Sequence, residues 1–321
     1  MTITTPTPAK HKPTVHRRRQ EDALPRSERW SRRFPLLPAL LFTVVVTQLP
    51  FVVTLGISTY SWNVLRPGDR HFTWLNNYAT VFTDDRLRSA VINTIVLTVS
   101  VVLVSLLLGT GLALLLDRKF RGRGVVRTLL IAPFLVMPMA SALLWKHVIY
   151  NPTYGLFNGT IDAVRRLFGN HTPVRIDWIT QYPMASVAAS LVWQWTPFMM
   201  LIILAGLQSQ PGDVIEAARV DGATGSQTFR LITLPHLRRY LELGVLLGSI
   251  YLVQTFDAVF TITQGGPGTA TTNLPYEIYL TLFRKYEYGE AAAAGTVVVA
   301  GTIMVATFAL RVVSSLFREE A

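Results

Sequence analysis

The sequence predicts an all-α membrane protein with six transmembrane helices. Half of its 321 residues are hydrophobic and only 15% are charged, and the mean hydropathy of +0.36 is typical of a chain that lies largely in lipid. Six apolar stretches are long enough to cross about 30 Å of hydrocarbon as helices. They lie near residues 36–60, 90–116, 125–149, 185–207, 240–263 and 291–316.

The first 33 residues form a basic arm ahead of these stretches. Nine Lys or Arg residues stand there among prolines and threonines. Because the arm has no apolar core, we expect residues 1–33 to be disordered and residues 34–321 to form the membrane domain. The apolar run that begins at Phe34 is too long, and lies too far into the chain, for an ordinary cleaved signal peptide, so it is predicted to remain as an anchor.

The Lys and Arg residues of the loops predict the orientation of the chain in the membrane. With both termini in the cytoplasm, twenty of them lie on the cytoplasmic side and nine lie in the outer loops. Topology and anionic lipid therefore account for the formal net charge of +11. The charge gives no indication of a nucleic-acid partner.

Prolines and glycines mark irregular positions within the stretches. Pro133 and Pro138 interrupt the third stretch and Pro197 interrupts the fourth, so we expect kinks there. In the fifth stretch Gly244 and Gly248 form a G-x-x-x-G pattern, which favours close helix packing.

Three polar residues, Tyr251, Gln254 and Asp257, follow in the fifth stretch at three-residue steps. On a continuous helix they lie near one stripe. A carboxylate within a membrane helix costs about 2.5–3.5 kcal/mol on insertion scales, and such a residue usually faces a cavity or a partner. Two alternatives stay open: Asp257 marks the outer end of the helix, or it pairs with a neighbour for structural reasons.

The polar segment 209–239 lies between the fourth and fifth stretches, and its charges would be costly in lipid. Pro211 near a start, acidic residues in the first turns, and Gly222 at the end predict a short helix with a glycine stop. This segment is predicted to project into water. The simplest alternative is a solvated connector between two membrane helices.

A second short helix is predicted in the same segment. Thr224 or Ser226 is suited to cap its beginning, and Pro235 is expected to end it. Two small helices joined by a glycine bend would form a compact knob.

Enzymatic chemistry is not indicated by the sequence. The chain has no cysteine, no Gly-x-x-x-x-Gly-Lys-Ser/Thr loop for nucleotide phosphates and no nucleophile elbow, and its six histidines are scattered over the arm and the loops. We therefore expect no catalytic residue, metal or cofactor in this chain, and an energy source in a partner protein.

The residues of segment 209–239 carry a resemblance to a known family. The positions concerned are Glu216, Ala217, Ala218, Asp221, Gly222, Ala223, Phe229, Leu234 and Pro235. They closely resemble the EAA cytoplasmic loop of the membrane subunits of ATP-binding cassette (ABC) importers. The resemblance implies a coupling helix that docks into a groove of an ATPase subunit, which binds ATP and magnesium. One departure is Arg239, which stands where the family often has a proline.

Residues outside this loop extend the resemblance to the carbohydrate branch of these importers. They include Asn93-Thr94, Trp145, Pro197-Phe198, Phe256-Asp257, Gly265-Gly266-Pro267 and Gly289-Glu290-Ala291-Ala292. They look like the first permease subunit of maltose and glycerol-phosphate systems. This implies the type I importer permease fold in a prokaryotic inner membrane, with a second permease, two ATPase subunits and an external solute-binding protein.

By the same resemblance, translocated sugar contacts the fourth and fifth stretches. The candidate residues of the substrate path are Trp193, Trp195, Tyr251, Gln254 and Asp257. Aromatic faces stack on sugar C–H surfaces and amides bond hydroxyls, which suits these residue types. Interface or packing roles explain the two tryptophans equally well.

The outer loop contains Asn151-Pro152, Tyr154-Gly155 and Asn158, which resemble the family's face for the solute-binding protein. Plain turn chemistry is the alternative for these residues.

Two rival functions remain at this point. A stand-alone secondary transporter or channel would need intramembrane charges for ion coupling and an internal repeat, and no convincing repeat is visible. A membrane receptor that signals through segment 209–239 is the second rival. The sequence does not identify the carbohydrate, although no predicted span carries a central Lys or Arg to meet a phosphate.

Overall fold

The computed structural model describes residues 36–316, and these fold almost entirely into helices. The basic arm predicted over residues 1–33 lies outside the described residues. By its internal contacts the chain divides into a first unit that ends at Thr54 and a second that begins at Leu55. Of the first unit, the structure describes most of one apolar helix, and the helices and sites discussed after it belong to the second.

In chain order the α-helices of residues 36–316 are α1 (Leu37–Ser58), α2 (Asn76–Thr83), α3 (Asp85–Asp117), α4 (Arg123–Leu135), α5 (Pro138–Leu144), α6 (Leu156–Leu167), α7 (Trp178–Gln181), α8 (Pro183–Gln208), α9 (Gly212–Val220), α10 (Gly225–Thr228), α11 (Leu234–Val253), α12 (Leu274–Phe283) and α13 (Tyr288–Leu316). Three π-helical turns lie at Trp145–Ile149, Phe229–Thr233 and Val259–Thr263. Two short strands, β1 (Tyr60–Ser61) and β2 (His71–Phe72), pair antiparallel.

Some of the six predicted spans correspond to helices that are long and apolar enough to cross a membrane. Within residues 36–316, helices α1, α3, α8 and α13 are long and apolar enough to cross a membrane, the last over Tyr288–Phe308. Helix α4 and the helical stretch Pro138–Ile149 are long and apolar enough only when they are taken together. If this bent pair forms one span, the described residues contain five candidate spans. Helix α11 is not in this set because three charged residues, Arg238, Arg239 and Glu242, lie in its first half.

The third predicted span is an elbow rather than a kinked helix. Helices α4 and α5 are bent by 98° at the break between them. Pro133 lies inside α4, and Val136 and Met137 are extended immediately before Pro138. Proline lacks an N–H group and disfavours a helical conformation in the residue before it, so the helix cannot continue through this segment. Pro197, by contrast, lies inside the uninterrupted helix α8.

The predicted continuous helix over 240–263 is wrong, because α11 ends at Val253. The N–H groups of Gln254 and Thr255 bond carbonyls only three residues back. The side chain of Asn273 donates to the carbonyl of Thr255 and so occupies an acceptor that a continued helix would use. Helical geometry resumes at Asp257 and leads into the π-helical turn Val259–Thr263. Tyr251, Gln254 and Asp257 therefore do not share one helix.

The segment that follows this turn is folded into the protein. The side chain of Asn93 in α3 donates to the carbonyls of Thr269 and Thr272 at 2.9 and 3.0 Å, and the Thr94 hydroxyl accepts the N–H of Leu274 at 2.9 Å. Thr272, Asn273 and Leu274 are buried. These bonds satisfy backbone groups that leave regular structure, and they fix the beginning of α12 against α3.

Helices α3, α8 and α11 pack through glycines. A Cβ atom at Gly248 would lie 2.5 Å from Cε of Met199 in α8, and one at Gly244 would lie 3.2 Å from Leu106 in α3. The G-x-x-x-G pattern thus serves close packing, as predicted. A Cβ atom at Gly109 of α3 would meet the backbone nitrogen of Met200 at 2.8 Å.

Gly109→Ala is expected to destabilise the protein, because its methyl group meets the backbone of α8, which cannot rotate away. Overpacking of this kind costs about 1–3 kcal/mol. Gly111→Ala is the matched control, since it lies two residues away in the same helix and its Cβ would meet nothing within 4 Å. Thermal unfolding of the detergent-solubilised protein measures both. Equal melting temperatures for the two variants would contradict the glycine contact.

Candidate functional site

Segment 209–239 begins with the helix that the sequence predicts. Pro211 is the N-cap of α9, and the helix ends in a Schellman motif at Gly222. The N–H of Gly222 bonds the Arg219 carbonyl at 3.1 Å, and the N–H of Ala223 bonds the Ala218 carbonyl at 2.9 Å. Gly222 has a φ of +81°, the left-handed conformation that glycine adopts without strain, so the predicted glycine stop is confirmed.

The surface of α9 is open in this chain. Glu216, Ala217 and Asp221 are exposed, and Val220 is 87% exposed, whereas Ala218 is buried.

The second helix of the segment begins as predicted and ends differently. Thr224 forms a capping box with Gln227 at the start of α10. The prediction that the helix stops near Pro235 is wrong, because the π-helical turn Phe229–Thr233 leads directly into α11. Pro235 is the second residue of α11 and follows this π-helical turn almost immediately. Phe229 and Leu234 are half-buried, and Pro235 is exposed.

The two ends of this segment are joined side by side. Ser209, which caps α8, lies 2.7 Å from the hydroxyl of Tyr240 and 3.1 Å from Nε2 of His236, both on α11. The Tyr240 ring packs on Gly206, where a Cβ atom would lie 2.6 Å from the ring. Helices α8 and α11 are thus held in contact where the segment leaves and re-enters the bundle.

A cavity of about 210 Å³ lies at the end of α11 that is remote from this joint, and it borders the middle of α8. Its wall comes from the elbow between α4 and α5, from α8, and from the break that follows α11. The lining residues are Phe134, Val136, Pro138, Leu191, Gln194, Trp195, Tyr251, Gln254, Thr255, Phe256, Asp257 and Ala258. Two interrupted helices therefore meet at one cavity, an arrangement that membrane transporters use for binding because irregular backbone offers polar groups there.

Gln194 holds the elbow in place. Its Nε2 donates to the carbonyl of Val136 at 3.1 Å, and the side chain is almost fully buried. Val136 precedes Pro138, so its carbonyl lies at the helix break. The bond from α8 satisfies it.

The structure places the five predicted substrate-path residues in two groups. Trp195, Tyr251, Gln254 and Asp257 line the cavity. Trp193 does not line it and packs instead edge to face on Trp145, at 6.0 Å between ring centroids. The packing alternative therefore describes Trp193. The rings of Trp195 and Tyr251 lie 5.6 Å apart.

Asp257 is half-buried at the point where helical geometry resumes. Its carboxylate has no hydrogen-bond or ion-pair partner within residues 36–316. A pairing role with a neighbouring side chain therefore has no support, while its position agrees with the end of a helix segment.

Gln194 was missed from the sequence. It stands between two tryptophans in an apolar stretch. A polar amide in such a stretch is the signal that would have singled it out.

The loop that the sequence predicts to lie on the outer side follows turn chemistry. The Asn151 side chain accepts the N–H groups of Thr153 and Tyr154, and a Cβ atom at Gly155 would collide with the Asn151 carbonyl at 2.4 Å. Asn158 is buried and bonded to Trp178. Tyr154, in contrast, is 71% exposed.

Comparison with known proteins defines the class. The family model described as "Binding-protein-dependent transport system inner membrane component" matches residues 105–319. The chain belongs to this family.

Relatives and solved structures agree with this assignment. The trehalose/maltose transport system permease protein MalF of Thermococcus litoralis is 32% identical over 86% of this chain and 90% of its own. The sn-glycerol-3-phosphate transport system permease protein UgpA of Agrobacterium fabrum is 30% identical over 86% and 92%. A chain of a bacterial alginate ABC transporter, crystallised with an alginate pentasaccharide-bound periplasmic protein, shares the fold with a TM-score of 0.75 and 19% identity, over 91% and 96%. This protein is thus a multi-pass membrane subunit of an ABC transport system, and the family resemblance seen in its residues is confirmed.

No metal centre emerges from the part of the chain that the structure describes, since no three His, Cys, Asp or Glu side chains are grouped to hold an ion there.

Gln194→Leu is expected to loosen the elbow, because the Val136 carbonyl loses its donor. An unpaired buried carbonyl costs about 1–3 kcal/mol. Hydrogen exchange of residues 133–140 should accelerate accordingly. Ser190→Ala is the control in the same helix, as the Ser190 hydroxyl bonds only within α8. Unchanged exchange in Gln194→Leu would mean that the elbow is stable without this bond.

Proposed function

We propose that this chain forms half of the translocation path of an ATP-driven ABC importer and carries a carbohydrate delivered by a solute-binding protein. That the chain is a membrane subunit of a carbohydrate-type ABC importer follows from its family and relatives, and this excludes a stand-alone secondary transporter. The finer assignment of the path rests on one observation. Aromatic rings, amides and a carboxylate gather in a cavity between two broken helices.

The chemistry of this cavity suits a sugar. Trp195 and Tyr251 offer apolar ring faces, and Gln254 and Asp257 offer hydrogen-bonding groups. Relatives named for trehalose, maltose and glycerol phosphate support a small hydroxylated solute. Di- or oligosaccharides and sugar alcohols are the proposed range.

We assign six spans, with both termini in the cytoplasm of a prokaryotic cell. Helix α11 supplies the fifth span, and its charged first half lies at the cytoplasmic surface. The elbow of α4 and α5 supplies the third. The excess of Lys and Arg on the inner side supports this orientation.

In this arrangement the segment 209–239 is a coupling loop. Helix α9 docks on an ATPase subunit, with Glu216 and Asp221 at its exposed surface and Val220 as an apolar contact. The complete importer has a second permease, two ATPase subunits that bind ATP and magnesium, and an external solute-binding protein. The permease itself hydrolyses no ATP.

Transport follows from movement of this loop. Closure of the ATPase subunits draws the coupling helices together, and the joint at Ser209 passes the displacement to α8 and α11 at once. Both helices border the cavity, so its access switches from the inner to the outer side while the binding protein delivers solute. A receptor that signals through this loop would not retain an ATPase in a pull-down.

Gly222→Val is expected to abolish coupling and to leave membrane insertion intact. A β-branched residue is strained at a φ of +81°, so the Schellman motif that ends α9 would break. Solute uptake and solute-stimulated ATPase activity of the reconstituted importer should both fall to background. Gly222→Asn should retain a large part of both, because asparagine tolerates the left-handed conformation. Normal coupling in Gly222→Val would make the segment a mere connector.

Gln254→Leu is expected to raise the solute concentration that gives half-maximal uptake, because a sugar hydroxyl loses a partner. An unpaired group of this kind costs about 1–3 kcal/mol. Assembly should survive, since removal of a polar side chain does not hinder insertion. Uptake kinetics and the yield of co-purified complex are measured together. Unchanged half-saturation with a lowered yield would assign Gln254 to packing.

A further inference from the structure

We infer that helix α6 lies at the membrane surface and that its apolar face is covered by lipid. The helix (Leu156–Leu167) belongs to the connection between the elbow and α8, which the proposed function uses neither for the solute path nor for coupling. The inference rests on the face that α6 exposes, on the bonds of its opposite face, and on the level at which α8 holds it.

One face of α6 is apolar and open. Leu156, Val164 and Leu167 are separated by eight and three residues, which places them on one side of the helix. Leu167 and Phe168, the residue directly after the helix, are each 85% exposed, and Leu156 and Val164 are more than half exposed. Single exposed apolar residues are ordinary, but these four form an apolar strip of the kind that marks contact with a protein or a membrane.

The opposite face of α6 is polar, and its side chains bond the rest of the chain. The amide nitrogen of Asn158 donates to the Ile176 carbonyl at 2.9 Å, and its oxygen accepts the indole N–H of Trp178 at 2.9 Å. The Asp162 carboxylate accepts the N–H of Val174 at 2.7 Å. A helix on the surface of a water-soluble domain turns its apolar face inward, whereas α6 turns it outward. This inversion indicates that the surroundings of the helix are apolar.

The same bonds hold α6 at the level where a span begins. Helix α8 is long and apolar enough to cross the membrane, and Ser186 lies in its first turn. The Ser186 hydroxyl donates to the carbonyl of Trp178 at 2.8 Å, and the indole of this tryptophan bonds Asn158 of α6. The Phe157 ring packs edge to face on Trp178, at 5.6 Å between ring centroids. Helix α6 is therefore held beside the end of a span, where hydrocarbon meets the lipid headgroups.

The charged residues of α6 suit this position. Arg165 and Arg166 lie in its last turn on the sides away from the apolar strip, and Arg166 is exposed. Long cationic side chains at a membrane surface extend toward lipid phosphates while their stems remain in apolar contact. An amphipathic helix with basic residues on its polar side and low overall hydrophobicity lies in the interface and does not cross the membrane.

Lipid fits the apolar strip better than a solute-binding protein does. A binding protein that delivers solute has to leave again, and the strip would then face water, which is unfavourable in proportion to its apolar area. Interfaces between partners that dissociate are accordingly about as polar as the ordinary protein surface. Lipid, in contrast, covers the strip at all times.

The test places a nitroxide spin label on the apolar strip of the assembled importer, in nanodiscs of phosphatidylcholine and phosphatidylglycerol. This chain has no cysteine, so Val164→Cys and Leu167→Cys each provide one labelling site once the cysteines of the partner subunits are replaced by serine. Collisions of the label with oxygen, which concentrates in hydrocarbon, are compared with collisions with a water-soluble nickel chelate. Lipids that carry the label at a known depth provide the lipid reference, and His171→Cys in the exposed loop after α6 provides the water reference.

We expect oxygen collisions to dominate at both strip positions, and nickel collisions to dominate at Arg166→Cys, the matched control on the polar side of the same turn. Nickel-dominated collisions at Val164→Cys and Leu167→Cys would overturn the inference. Low collision rates with both reagents would also overturn it and would assign the strip to the second permease, or to the binding protein if the rates fall only when that protein is added. None of these results bears on the solute path or the coupling loop, which are tested separately at Gln254 and Gly222.

Discussion

A backbone group that leaves a helix at membrane depth needs a partner from the protein or from a water-filled cavity, because lipid supplies none. The structure meets this requirement at both helix breaks with amide side chains. Gln194 donates to Val136 at the elbow, and Asn273 donates to Thr255 after α11. The cavity exists because these two bonds make interrupted helices tolerable. Its polar character is a by-product of the same geometry, since breaks expose carbonyl and amide groups that regular helices conceal.

Close packing connects this cavity to the loop. Glycines at positions 109, 244 and 248 remove the side chains that would separate α3, α8 and α11. Closely packed helices do not deform smoothly. A displacement at one end of a helix therefore shifts the whole helix. Ser209, His236 and Tyr240 hold α8 to α11 at the loop, so in the proposed coupling mechanism both helices would be displaced together.

Local signals in the sequence predicted the local structure well. The lengths of the apolar stretches located α1, α3, α8 and α13 to within about five residues, and Gly222 and Thr224 marked real helix ends. The helix breaks between α4 and α5 and after α11 were harder to predict, because the residues that stabilise them lie elsewhere in the chain. Pro133 and Pro138 indicate an interruption. The side chain that bonds the Val136 carbonyl at the elbow, however, is that of Gln194, 58 residues further along the chain.

The cavity lining shows the same limit. The expected helical stripe of Tyr251, Gln254 and Asp257 was wrong as geometry, since a bond from Asn273 ends the helix between its members. The three residues nonetheless line one cavity. Spacing thus grouped residues that do line one cavity, but in the wrong conformation. Gln194 was missed because its contact with Val136 is a tertiary contact that periodicity does not encode.

The joint at Ser209 and the cavity are about 20 Å apart along α8, because Gln194 and Trp195 lie near the middle of that helix. Natural selection can therefore act on them separately. Under the proposed function, substitutions at Trp195, Tyr251 or Asp257 would change the solute site and leave the proposed coupling loop unchanged. Proteins of this fold could therefore evolve to transport a different solute while keeping the same ATPase subunits.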